Sequence, residues 1–180
     1  MRLSIVIATT GRETLERAVA SAEACADEVV IVADGARDVI ADLHVDLGCP
    51  GLVRNAGVEV ATGDWVGFLD DDDVLVPDRY RASVDAHPAV DVVIHPLLHP
   101  ELGPVPRPGS DAITHGNVGI SFTLKRSLAL SEPFIAGPPR TARIEDYELL
   151  RRLFDAGRLM VMAQEIAYVV RPEEHRLWRL

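Results

Sequence analysis

Four consecutive aspartates, Asp70, Asp71, Asp72 and Asp73, are the residues of this chain best suited to chemistry. They follow the apolar run Trp65-Val66-Gly67-Phe68-Leu69 without a spacer. A run with no polar alternation reads as a strand buried on both faces. The acids then stand at its C-terminal end, where open parallel α/β sheets bind ligands. Extended backbone puts alternate side chains on one face, so Asp70 and Asp72 point together and Asp71 points away. Adjacent carboxylates near an interior repel one another and are costly without a compensating cation. A hard divalent ion with oxygen ligands, Mn2+ or Mg2+, fills that role, and Mn2+ tolerates an added imidazole better. The competing reading is a solvated acidic loop, and the buried strand just before the acids favours the metal site.

Other residues join this edge. Asp34-Gly35 ends a second apolar run at 29–33 and shares the sheet edge with Asp70, although Asp-Gly is also ordinary turn chemistry. Arg54 reads as a local salt-bridge partner or, placed just before a helix N-terminus, as an anion contact. Asp146 falls in the first turn of a helix opening at Ile144, where the dipole favours the ionised form. Acids there are routine helix stabilisers, so position alone does not make it a base. His175, in a polar tail, is a metal ligand, a diphosphate contact or an exposed histidine. His95, His99 and His115 lie in or near loops and read as surface residues.

The elements that must position these residues follow from periodicity. Residues 3–8 form a strand, Thr9-Thr10-Gly11-Arg12 a turn in which Thr10 can cap, and 13–25 an amphipathic helix. A strand at 29–33 completes a right-handed parallel crossover. The pattern between 36 and 50 is weak, with a short helix at 39–43. A brief strand at 52–53 precedes a helix from Arg54 to about 61. After the aspartates, a helix runs to about 87 with Pro77 in its first turn, then a strand at 90–95. Residues 96–109 carry five prolines, too many for an element interior, and read as a surface excursion suited to a lid or an acceptor contact. A strand at 120–124, a short helix at 125–130 and an irregular stretch to 143 lead to the helix at 144–156. Its apolar face is Leu149, Leu150, Leu153 and Phe154, and Gly157 stops it. Strands at 159–162 and 165–170 precede the polar tail. The expected fold is one α/β domain with a mostly parallel central sheet flanked by helices.

Composition narrows the function. With 180 residues and 48% hydrophobic content, one domain with a real core is expected. A net charge of −10 argues against a general nucleic-acid surface. Cys25 and Cys49 have neither zinc nor redox spacing, so reduced thiols in a cytoplasm are expected. No apolar stretch reaches membrane-spanning length, and the start reads without a signal peptide.

Taken in order, these motifs resemble the family 2 GT-A glycosyltransferases. Thr9-Thr10-Gly11-Arg12 resembles the family's first uridine-contacting turn, and Val30-Ile31-Val32-Ala33-Asp34-Gly35 its strand ending in an Asp-Asp-Gly-Ser type motif, with Ala33 in place of the first acid. Arg54-Asn55-Ala56-Gly57 through Ala61-Thr62-Gly63-Asp64, then Phe68-Leu69-Asp70-Asp71-Asp72-Asp73, is similar to its most recognisable block. Gly116-Asn117-Val118-Gly119 and Glu145-Asp146-Tyr147-Glu148-Leu149 are similar to its acceptor-side motifs. The resemblance implies an inverting, metal-dependent transfer of a sugar from a nucleotide-diphosphate donor, UDP-sugar first, to a hydroxyl acceptor. The acceptor is a saccharide, a lipid-linked sugar, a protein or another hydroxyl compound. It implies donor contacts at Thr9, Arg12, Asp34, Arg54, Asp70, Asp71 and Asn117, metal ligation by Asp72 and His175, a catalytic base at Asp146, and an orienting or acceptor role for Glu145. Asn117 and Gly119 would shape the sugar pocket. A donor half at 1–95 and an acceptor half at 96–180 are expected, with a homo-oligomer as an open option.

Rival readings remain. A nucleotidyltransferase can share the sheet and the acidic site, but such enzymes carry a glycine-rich basic loop after the first strand, and this turn has one glycine and no lysine. A non-catalytic sugar-nucleotide-binding protein fits the Ala33 departure, whereas the intact Asp70, Asp72 and Asp146 oppose it. A hydrolase lacks any Ser-His or Cys-His arrangement.

Overall fold

The computed structural model describes residues 1–107, 113–136 and 144–174. Its elements in order are β1 (Leu3–Thr9), α1 (Leu15–Glu23), β2 (Glu28–Asp34), β3 (Leu43–Val45), α2 (Pro50–Val60), β4 (Trp65–Asp70), β5 (Val74–Leu75) and α3 (Pro77–Asp85). Then come β6 (Val92–Ile94), β7 (Leu97–His99), β8 (Gly103–Val105), β9 (Phe122–Lys125), α4 (Arg126–Ser131), α5 (Glu145–Asp155), β10 (Met160–Met162) and β11 (Tyr168–Val169).

A seven-stranded sheet has the order β10-β6-β9-β4-β1-β2-β3. β1 lies at its heart, parallel to β2 and β4, with Thr9 opposite Ala33 and Ala8 opposite Asp70. The mostly parallel sheet expected from the sequence is present, and Asp34 and Asp70 end the two strands that flank β1, at one edge. β9 is the exception: it runs antiparallel between β4 and β6. Strands β1 and β4 are buried along almost their whole length, which explains their unbroken apolar runs.

A second sheet, β5-β11-β7-β8, was not legible in the sequence. The proline-rich segment contributes β7 and β8 to it as an antiparallel hairpin rather than a structureless excursion. Pro104 is accommodated because β8 is an edge strand. The chain leaves the first sheet at Asp70 and enters the second at Val74, so the acidic run is the corner between the two sheets.

Other expectations need correction. Residues 39–43 form no helix. Leu43–Val45 extends the sheet edge instead, with Asp42 N–H bonded to the Ile31 carbonyl and the Asp42 carboxylate accepting the Ile31 N–H. Ladder bonds outweigh a helix too short to be stable alone. Residues 52–53 are not a strand, and Arg54 does not precede a helix: α2 starts at Pro50 and places Arg54 in its second turn. Proline suits that first turn because no intrahelical partner is lost. Gly57 lets this helix close on the sheet, since a Cβ there would lie 2.3 Å from Val6 Cγ1. Thr14, not Thr10, precedes α1, with no side-chain cap.

His95 is not a surface residue. It is fully buried, with Nδ1 bonded to Ser83 Oγ and Nε2 to Thr123 Oγ1, and its ring stacks on Tyr80. Burial lowers its pKa to about 3, so it stays neutral. On α5, Leu149, Leu150 and Leu153 face the core as expected, whereas Phe154 is 53% exposed. Gly157 ends that helix at φ 72°, with its N–H on the Phe154 carbonyl and the Arg158 N–H on Leu153. Both cysteines are free thiols. No helix of the described residues is long and apolar enough to cross a membrane.

Candidate active site

A cleft of about 670 Å³ opens over the C-terminal edge of the first sheet, walled on the far side by β7 and β11 of the second. Thr9, Arg12, Asp34, Arg54, Asp70, Asp71, Asp72, Glu145 and Asp146 all line it. The fold thus brings together nearly every residue singled out in the sequence. Asn117 is not in the lining: it is buried, and its side-chain oxygen accepts the Arg107 N–H. Its neighbours Gly116, Val118 and Gly119 do reach the cleft. His175 lies outside the described residues. His115 packs edge-on against Tyr147, and His99 lines the cleft.

The acidic corner is held from several directions. Asp71, only 3% exposed, lies against the β1–α1 turn; β4 ends at Asp70, so the pleat expected to part Asp71 from Asp72 does not extend there, and both meet Arg12. Its Oδ2 accepts Thr9 Oγ1 at 2.6 Å and its Oδ1 accepts Arg12 Nη1 at 2.8 Å. Thr9 Oγ1 in turn accepts the Gly11 N–H, so one carboxylate organises the whole turn. Arg12 Nη1 also lies 2.8 Å from Asp72 Oδ2. The Asp72 carbonyl accepts Arg17 Nη2 at 2.9 Å. Burial, with Asp70 and Asp71 adding like charge, raises the Asp72 pKa despite Arg12. Asp73 is buried, and Tyr168 donates its hydroxyl to Asp73 Oδ2 at 2.7 Å while the Arg171 N–H binds Oδ1 at 2.9 Å. Burial and then the Asp70 charge push the Asp73 carboxyl up to about 7.

Arg54 spans the floor. Its side chain is 6% exposed, with Nη2 2.6 Å from Asp70 Oδ1 and Nη1 3.0 Å from Glu145 Oε1. The salt-bridge reading of Arg54 therefore holds, but its partners are distant in sequence and not local. Burial alone would favour the neutral guanidine; Asp70 and then Glu145 overcome it and raise the pKa above its usual value. Asp34 uses both oxygens on backbone, accepting the Leu47 and Gly48 N–H groups at 2.7 and 2.9 Å.

Asp146 stands in the first turn of α5 beside Gly119, where a Cβ would lie 3.9 Å from Asp146 Oδ2. Its Oδ1 accepts the Tyr147 N–H. Burial, helped by the charges of Glu145 and Asp70, pushes its carboxyl up to about 6 against the pull of that N–H and of Arg54. A carboxyl poised there accepts a proton near neutral pH.

No group of three or more His, Cys, Asp or Glu side chains among the described residues converges to hold a metal. The lining nevertheless carries seven carboxylates (Asp34, Asp70, Asp71, Asp72, Asp73, Glu145, Asp146) against three guanidinium groups (Arg12, Arg54, Arg171). Asp70 and Asp72 supply oxygen donors on the cleft side of that excess. Ions such as Mg2+ commonly bind through one or two carboxylates plus substrate phosphates, so the donor set fits such an ion completed by a phosphate ligand.

Sequence reasoning left three contributors unassigned: Arg17, Tyr168 and Arg171. Each reaches the corner across more than fifty residues of chain, and no local pattern marks them.

The family model for glycosyl transferase family 2 matches residues 50–150. Succinoglycan biosynthesis protein ExoO of Rhizobium meliloti (strain 1021) is 36% identical over 97 residues, which is 45% of this chain and 28% of that protein. The crystal structure of S. aureus TarS 1–349 superposes with a TM-score of 0.68 at 19% identity, covering 97% of this chain and 62% of that one. Its complex with UDP-GlcNAc gives 0.71 at 20% identity, over 94% and 58%. A nucleotidyl transferase from Methanothermobacter gives 0.66 at 16% identity, over 96% and 90%. At these identities the superpositions show a shared fold. The chain spans well under two thirds of ExoO and slightly under two thirds of the TarS fragment.

Proposed function

Because the chain belongs to glycosyl transferase family 2, we propose that it moves a sugar from a nucleotide-diphosphate donor to a hydroxyl acceptor with inversion. The observation that carries this reading is the meeting of the acidic corner and Asp146 across one cleft. UDP-sugar is the proposed donor, supported by the family resemblance and by the TarS structures with UDP and UDP-GlcNAc. Residues 1–95 supply most of the donor side and 96–180 most of the acceptor side. The compartment proposed is the cytoplasm, where two free thiols stay reduced.

Asp72, with Asp70 beside it, would hold Mn2+ or Mg2+, and the ion would supply positive charge to the departing diphosphate. The residues themselves do the rest. Arg12 and Arg54 hold the carboxylates of the corner in place. Thr9 and Asp34 form the nucleoside side of the cleft. Asp146 takes the proton of the acceptor hydroxyl as that oxygen attacks the anomeric carbon and the nucleoside diphosphate leaves from the opposite face. Glu145, anchored by Arg54, holds the start of α5 so that Asp146 faces the acceptor.

Calorimetry with UDP, GDP and dTDP, each with and without Mn2+, tests the donor side. The expected result is metal-dependent binding of UDP that Asp72→Ala removes. Metal-independent binding untouched by Asp70→Ala and Asp72→Ala would defeat the metal-dependent reading. The fold shared with the Methanothermobacter nucleotidyl transferase supports a second reading, which predicts preference for a nucleoside triphosphate in the same titrations.

A further inference from the structure

Tyr168 sits where the two sheets meet. On one side β11 pairs antiparallel with β5, Tyr168 opposite Leu75, directly after the acidic corner. On the other it pairs in parallel with β7, Tyr168 opposite Leu97. β7 carries Leu97 and His99 into the far wall of the cleft. The side chain is fully buried. Its single hydroxyl makes two bonds to the corner: it accepts the Asp70 N–H at 3.1 Å and donates to Asp73 Oδ2 at 2.7 Å. The corner closes between the same residues, with the Asp73 N–H on the Asp70 carbonyl at 3.1 Å.

We propose that Tyr168 is a positioning residue: its hydroxyl clamps both ends of the Asp70–Asp73 corner, fixing where Asp70 and Asp72 face the cleft and tying that wall to the opposite one. The inference rests on the donor-site reading given above only for its consequence in binding. The clamp itself is geometric. The Asp70 N–H and the buried Asp73 Oδ2 share one hydroxyl oxygen, and that atom belongs to a strand of the far wall. Asp73 acts through this bond: it anchors the clamp from the far end of the corner, with the Arg171 N–H on its other oxygen.

Tyr168→Phe removes the oxygen and keeps the ring. Two measurements on the full chain decide the matter. Amide hydrogen exchange should speed up at least tenfold at residues 70–75, with the amides of β1 and β2 unchanged. In parallel, the affinity for UDP with Mn2+ should fall at least tenfold. Asp73→Asn, which keeps an acceptor for the Arg171 N–H, should give the same local pattern with a smaller effect, and it decides the question if Tyr168→Phe does not fold. A merely structural tyrosine would raise exchange throughout both sheets in proportion to lost stability and leave affinity of the folded fraction unchanged; that outcome overturns the proposal, as does unchanged exchange at 70–75. If the parent protein binds no nucleoside diphosphate, the donor reading falls, and the exchange pattern still decides whether the hydroxyl clamps the corner.

Discussion

The acidic corner and Asp146 at the start of α5 are held by different means. At the corner every acid has a specific partner: Arg54 for Asp70, Thr9 and Arg12 for Asp71, Arg12 for Asp72, Tyr168 and the Arg171 N–H for Asp73. At α5, Asp146 has, among the described residues, a backbone N–H and a share in the field of Arg54, whose hydrogen bonds go to Asp70 and Glu145. In the proposed mechanism the two kinds of acid do different work. Guanidinium groups hold Asp70, Asp71 and Asp72 in place, as cation binding requires. A buried carboxyl with little compensation is pushed up to about 6, the range a general base needs.

Removing the proton acceptor breaks the comparison most sharply. Asp146→Asn keeps the size and the Tyr147 N–H contact, so UDP binding should stay within about twofold while transfer falls by roughly a hundredfold or more. Transfer kinetics with the true acceptor, alongside calorimetry, check it; equal rates in variant and parent would remove Asp146 from the mechanism. Arg54→Met comes next, because this side chain joins the two regions. It leaves Glu145 and Asp70 facing each other unpaired, at a cost of about 3 kcal/mol, the low end for a broken buried pair because Asp70 is 38% exposed. Urea denaturation measures it, and a loss under about 1 kcal/mol would show that the bridge is dispensable.

Asp72→Ala should lower the affinity for UDP with Mn2+ at least tenfold, a change of about 1.4 kcal/mol, and leave the melting temperature within a few degrees. Calorimetry paired with a thermal scan separates the two effects. The smallest effect is a pH profile. With a folded pKa of about 6 against an ordinary 3.8, Asp146 must lose its proton to act, so transfer should rise with pH through about 6 and then level. Stability moves the other way: the folded chain keeps a proton that the unfolded chain has released between 3.8 and about 6, so this group's contribution is fully present below the lower value and lost as pH rises through the higher. A transfer profile flat across pH 5 to 7 would assign the base elsewhere.

The sequence by itself determined the parts governed by local pattern. Unbroken apolar runs marked β1, β2 and β4 as parallel strands, and Asp34 and Asp70 at the ends of β2 and β4 had to fall on one edge. Periodicity with a stopping glycine delimited α5, whereas the pleat expected to part Asp71 from Asp72 does not extend there: β4 ends at Asp70, and both carboxylates meet Arg12 Nη1. Tertiary structure alone decided which partner each acid found. Arg12 and Asp71, Arg54 and Glu145, and Tyr168 and Asp73 are separated by 59, 91 and 95 residues. Their pairing depends on how two sheets pack and not on any short-range spacing. The same holds for β3 and for the β7–β8 hairpin, where ladder bonds to a neighbouring strand overrode weak or proline-broken local preference. It holds also for His95, whose buried place was set by Ser83, Thr123 and Tyr80 closing around it. Local propensity amounts to tenths of a kcal/mol per residue, whereas a buried polar group without a partner costs about 1–3 kcal/mol, so where the two disagreed the long-range partner prevailed.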